Sequence, residues 1–165
     1  MLRAMSRTLT RRAWLRLAAA LTVAVGPGPR LASGQGNLAN LAPEEPIAAT
    51  LKRLFDGRPV KDGAAVVTIE MPLIAEDGAA VPIAVEVKSP MTPERHVKAI
   101  YLLAEKNPRP LNVKVSLTPA AGQAYVATNI RLADSGPVRV VAEWNDGSLL
   151  AAAREVRVTV AGCAA

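Results

Sequence analysis

A chain of 165 residues with 50% hydrophobic and 3% aromatic residues, one cysteine and one histidine can bury a single core, but it lacks the side chains for a zinc site, a Ser/His/Asp triad or a base-stacking platform. Its formal charge of +6 would suggest an anionic partner, yet all of that excess lies in residues 1–34, where Arg3, Arg7, Arg11, Arg12, Arg16 and Arg30 stand without an acid. The remainder carries fourteen charges of each sign, which removes the case for nucleic acid.

At the N-terminus, Thr10-Arg11-Arg12-Ala13-Trp14-Leu15-Arg16 has the paired arginines and bulky apolar residues of a twin-arginine export signal. The apolar run from Leu17 to Val25 that follows is too short to span a bilayer, where ~20 residues are needed. Residues 1–34 therefore read as a cleaved signal with Arg11 and Arg12 at its centre, not as a membrane anchor, and the mature protein is expected in the periplasm. Residues 35–46 form a Gly/Ala/Pro/Asn leader with little periodicity, expected to be flexible.

The folded domain is expected over 47–160. Ile47, Leu51, Leu54 and Phe55 recur at helical spacing, with Glu44 and Glu45 at the positive end of the helix dipole and Gly57 and Pro59 as the stop. From residue 64 the period changes to two. Val81, Ile83, Val85 and Val87 alternate with polar or small residues, and the pattern returns at Val113–Leu117, Val126–Leu132, Val138–Trp144 and Val156–Val160. Turn signals lie between these runs, at Glu76-Asp77-Gly78, Ser89-Pro90, Asn107-Pro108, Ser135-Gly136-Pro137 and Asn145-Asp146-Gly147-Ser148. About seven strands at this spacing predict an all-β fold, a sandwich or barrel with a short N-terminal helix. Pro82 marks an edge strand or the end of a ladder. Trp144 is assigned to the core. The segment Ile100-Tyr101-Leu102-Leu103, apolar on both faces, is either a surface offered to a partner or a central strand covered on both sides.

No residue qualifies as a catalytic or metal-binding group. Glu70, Glu76, Asp77 and Glu86 are scattered acids that the strand and turn pattern sends to solvent. What remains is Cys163, in the tail Val160-Ala161-Gly162-Cys163-Ala164-Ala165. Residues 161–165 form an arm of small side chains that reaches at most ~17 Å and could enter a narrow cleft. Prenylation needs cysteine fourth from the end, and this one is third. Nothing in the tail lowers the thiol pKa, and the terminal carboxylate opposes the thiolate. Three readings stay open: an idle thiol in a frayed terminus, an intermolecular disulfide, and a covalent carrier arm whose chemistry is done by partner enzymes.

The runs Met71-Pro72-Leu73-Ile74-Ala75-Glu76-Asp77-Gly78-Ala79-Ala80-Val81-Pro82-Ile83, Val87-Lys88-Ser89-Pro90-Met91-Thr92, Ala104-Glu105-Lys106-Asn107-Pro108-Arg109-Pro110 and Val156-Arg157-Val158-Thr159-Val160-Ala161-Gly162-Cys163 resemble the SoxY family, the sulfur carriers of the bacterial thiosulfate-oxidising (Sox) system. The resemblance spans the chain from about residue 44, and a twin-arginine signal belongs to the same pattern. It implies an immunoglobulin-like antiparallel β-sandwich paired as a heterodimer with a SoxZ-like sandwich subunit. It also implies a division of labour among a cytochrome that couples thiosulfate to the tail cysteine, a hydrolase that releases sulfate and a dehydrogenase that oxidises the remaining sulfane sulfur. The carrier would catalyse nothing and hold no cofactor beyond the sulfur intermediate on Cys163, carried on an arm of Ala161, Gly162, Ala164 and Ala165. The family's tail is typically Gly-Gly-Cys-Gly-Gly. Here Ala161, Ala164 and Ala165 replace three of those glycines and narrow the backbone freedom of the arm. The competing function is a periplasmic immunoglobulin-like binding or assembly module whose cysteine forms an intermolecular disulfide.

Overall fold

The computed structural model describes residues 44–160. The assigned signal with Arg11 and Arg12, the leader up to residue 43, and the arm with Cys163 therefore lie outside the described residues. Helix α1 (Ile47–Phe55) follows Pro46, whose φ of −59° suits a helix start. It stops where Asp56 and Gly57 turn left-handed, at φ 49° and 74°. Lys52 and Arg53 occupy its last turn, where the negative end of the dipole favours them. Glu44 and Glu45 precede the first turn and do not cap it. Glu45 instead makes a two-point pair with Arg53, both contacts 2.8 Å, and its N–H donates to the Pro108 carbonyl at 2.9 Å.

Among the described residues nine strands follow: β1 (Val60–Asp62), β2 (Val67–Glu70), β3 (Ile74–Asp77), β4 (Val81–Val87), β5 (Val97–Ala104), β6 (Leu111–Ser116), β7 (Ala124–Ile130), β8 (Gly136–Trp144) and β9 (Leu149–Val160). They form a large sheet in the order β1-β9-β8-β5-β6, with β3 also on β9, and a small sheet in the order β2-β4-β7. The β-sandwich is the architecture the alternation foretells. The count and the direction need correcting: β1 and β3 are short strands that pair parallel to β9, so the sheets are not wholly antiparallel. Strands of three and four residues carry too few alternations to register as periodicity. The edge-strand expectation for Pro82 falls, since Pro82 pairs with Asn129 inside the ladder to β7 and lies two residues beyond the end of the ladder to β2. Strand β4 is central, but its pairing with β2 stops at Ala84 opposite Glu70.

The two sheets enclose the main core, in which Val85, Ile100, Leu102, Val140 and Ala142 are fully buried and Trp144 nearly so. A second core lies on the opposite face of the large sheet. There α1 covers Ala99, Tyr101, Leu103, Val141, Leu149 and Ala151. Phe55 is its centre, 1% exposed and edge-on to the Tyr101 ring at 4.9 Å. The segment Ile100–Leu103 is therefore a central strand buried from both sides, and its candidacy as a partner surface falls.

The acid Glu143 is buried beside this second core. It accepts a hydrogen bond from the Tyr101 hydroxyl at 2.8 Å and one from Arg58 at 3.0 Å, with Lys98 3.6 Å away. Burial pushes the Tyr101 hydroxyl up to about 12, and the neighbouring carboxylate adds to the rise. Burial alone would also raise Glu143, but the bonds from Tyr101 and Arg58 and the charge of Lys98 outweigh it and hold its carboxyl below the ordinary value. The network ties the turn after α1 to β5 and β8.

Candidate functional site at the tip of the last strand

Strand β9 is twelve residues long and outruns its neighbours. Its pairing with β8 ends at Val156 opposite Gly136, so the last four residues, 157–160, project past the body of the large sheet. A strand tip left so would present unpaired backbone groups and fray. Three local devices hold it. Strand β3 pairs along it from Ile74 opposite Arg157 to Asp77 opposite Val160. The Arg157 N–H donates to the Leu73 carbonyl at 2.9 Å, and the Thr159 hydroxyl donates to the Glu76 carbonyl at 2.8 Å. On the other side the Ser135 hydroxyl oxygen accepts from the Val158 N–H at 2.9 Å.

The sequence order explains the arrangement. The turn at Asp77–Ala80 closes with the Asp77 carboxylate accepting from the Ala79 N–H at 2.8 Å, which sets β3 going back into β4. Ala133, Asp134 and Ser135 form the bend into β8 and so bring a small hydroxyl residue against β9. The role of Ser135 as a pin, and the whole of β3 as a splint, escape sequence reading, which takes 135–137 only as a turn signal and 71–83 only as a motif.

Alternation along β9 sends Glu155, Arg157 and Thr159 to the outer face of the large sheet, the face that α1 covers elsewhere, and all three are exposed. The residue register places Ile74 beside Arg157 on that face. Leu73 and Ile74 are 63% and 58% exposed, and they border an open groove of about 430 Å³ together with Ser135, Glu155 and Arg157. Glu76 and Asp77 are exposed at the arm-side end of β3. Of the scattered acids considered as catalysts, Glu70, Glu76, Asp77 and Glu86 are all exposed, and Asp77 has its carboxylate engaged in its own turn. Among the described residues no three His, Cys, Asp or Glu side chains gather as metal ligands would, and no helix is long and apolar enough to cross a membrane.

The sequence-derived site residues Ala161, Gly162, Cys163, Ala164 and Ala165 follow this tip directly and lie outside the described residues. What the structure supplies is their root: a braced strand end that stops one residue before the arm.

Comparison with known proteins gives three results. A family model described as "Sulfur oxidation protein SoxY" matches residues 51–163, so the match extends through the tip to Cys163. Among solved structures, the sulfur carrier protein SoxY from Chlorobium limicola f thiosulfatophilum is similar at 26% identity and a TM-score of 0.57, over 68% of this chain and 96% of that one. Superoxide reductase (neelaredoxin) from Ignicoccus hospitalis is similar at 21% identity and a TM-score of 0.51, over 56% of this chain and 80% of that one, a likeness of fold alone. No curated protein sequence matches the chain.

Proposed function

The chain belongs to the SoxY family of sulfur oxidation proteins, and from that premise we propose that it is a non-catalytic sulfur carrier of the Sox system whose cargo is held on Cys163. The observation that carries this reading is the braced tip of β9, a root placed directly before an arm that carries the chain's one thiol. A carrier needs both parts. The root must not fray, or the thiol would sample directions useless to an enzyme, and the arm must be slim, or it could not enter a cleft.

In this reading the cytochrome joins the Cys163 thiol to the outer sulfur of thiosulfate. One S–S bond forms, the thiol proton is released, and two electrons leave to the cytochrome, giving Cys–S–S–SO₃⁻. Water then cleaves the terminal S–S bond under the hydrolase, which yields sulfate, two protons and the persulfide Cys–S–S⁻, and the dehydrogenase takes the remaining sulfur onward. The exposed Glu76 and Asp77 at the root bring negative charge, which disfavours a thiolate near it, so activation falls to the partner. A SoxZ-like subunit is the proposed heterodimer partner. Export through the signal at Arg11 and Arg12 to the periplasm is part of the same proposal.

The test is the intact mass of the mature protein from its native host during thiosulfate oxidation, with and without reductant, beside Cys163→Ser. Reductant-sensitive sulfur or thiosulfonate adducts on the wild type and absent from the variant are the expected result. A clean mass, or only a disulfide-linked dimer, would reject the carrier in favour of the binding-module reading.

A further inference from the structure

This inference rests on the carrier reading. If Cys163 bears the sulfur, the length of the arm decides what else must touch each enzyme. Cys163 is three residues beyond Val160. At ~3.3–3.6 Å per residue its Cα lies within ~11 Å of the strand tip. A thiol on so short a tether reaches a recessed reactive centre only when the body of the carrier comes against the enzyme surface. Whatever stands around the tip is then part of every transfer complex.

What stands there is apolar. Leu73 and Ile74 are two of the three large hydrophobic side chains exposed among the described residues, at 63% and 58%. Ile74 pairs with Arg157 and Asp77 with Val160, so Ile74 lies three residues, ~10 Å, back from the root of the arm. The backbone bond from Arg157 to Leu73 and the bond from the Thr159 hydroxyl to the Glu76 carbonyl tie this pair to the strand tip. A partner that grips Leu73 and Ile74 thereby fixes the direction in which the arm leaves.

Size and charge select the occupant. A stable subunit pair takes about 20–30 residues from each side, whereas the exposed large apolar side chains here are two, Leu73 and Ile74, flanked by the charges of Glu155 and Arg157. Such a patch suits a contact made and broken at each transfer. Glu76 and Asp77 stand exposed between the apolar pair and the arm. The geometry points to Leu73 and Ile74 as the docking contact for the enzymes that load and unload Cys163. The occupant is an apolar projection on the rim of the enzyme's arm-accepting cleft, with a basic group beside it facing Glu76 and Asp77.

The experiment loads the full carrier with thiosulfate using the host's own thiosulfate-coupling cytochrome, at a series of carrier concentrations, for wild type, Leu73→Ser/Ile74→Ser and Leu73→Met/Ile74→Val. The double serine variant should lose about tenfold to hundredfold in kcat/KM, which is what burial of one or two such side chains is worth, while its kcat at saturation is retained. The Met/Val variant should load as the wild type does. Reaction of Cys163 with a small aromatic disulfide, and elution of the heterodimer with the second subunit, should be the same for all three. An unchanged kcat/KM in the serine variant overturns the docking contact. Loss of the heterodimer in that variant overturns it as well, by making the patch a subunit interface. A wild type that takes no sulfur on Cys163 overturns the carrier reading, and this inference with it.

Discussion

The outer face of the large sheet is covered at one end and bare at the other. Under α1, Tyr101, Leu103, Val141 and Leu149 are buried, Phe55 fills the space above them, and the one acid among them is satisfied by Tyr101 and Arg58. Along the last residues of β9 the same face carries Glu155, Arg157 and Thr159 in the open, with Ile74 and Leu73 beside them. One sheet thus spends its outer surface in two ways. The helix half contributes burial and stability; the bare half contributes backbone bonds that hold a strand end still without covering it. A carrier requires that separation, because a root buried for stability would not be accessible to an enzyme.

The difference can be broken hardest at Phe55. Phe55→Ala removes the largest apolar group between α1 and the sheet and should cost about 3–5 kcal/mol in denaturant unfolding. Next comes Glu143. Because its carboxyl is held below the ordinary value of 4.5, its contribution is present above that pH and is lost as pH falls through the lowered value. Glu143→Gln should cost about 1–3 kcal/mol near pH 7, and the gap between variant and wild type should close as unfolding is followed down from pH 4.5. A gap that stays constant with pH would show that the ionised form is not what the network stabilises. Neither substitution should alter the reaction of Cys163 with a small disulfide.

At the bare end the effects are local. Ser135→Ala removes the hydroxyl that accepts from the Val158 N–H and should cost about 0.5–1.5 kcal/mol. Hydrogen exchange sharpens the contrast: the Val158 amide should exchange faster in the variant while the amide of Val141, between two strands under α1, keeps its protection. Equal acceleration at both would mean that the tip and the covered half open as one unit.

How much of this was legible follows from how each part is encoded. The strands β4 and β8 and the helix α1 announce themselves because seven to nine residues repeat a period long enough to read. The double burial of β5 was legible only as an ambiguity, since a run apolar on both faces suits a partner surface as well as a central strand. The presence of α1 on its outer side decides it. Strands β1 and β3 were invisible as strands because their partner, β9, lies more than eighty positions away and their own length carries no pattern. The same holds for Glu143, whose meaning depends on Tyr101 and Arg58 from distant segments. Cys163 was singled out from position and neighbours, with the resemblance to a family supplying the chemistry proposed for it, and it lies outside the described residues, whereas its root had to be seen in three dimensions.

The smallest stability effect is the most informative for function. Leu73 and Ile74 are more than half exposed, so truncating either gives up little burial. Ile74→Ser should shift unfolding by no more than about 0.5 kcal/mol, as surface substitutions do. The backbone pairing of Ile74 with Arg157 does not depend on its side chain, so the β3 splint should survive. That near-silence is what allows a transfer defect at this position to be assigned to contact with an enzyme. A loss of several kcal/mol would instead place Ile74 with Phe55 among the residues that hold the fold, and the division of the sheet face into a covered half and a free half would have to be redrawn.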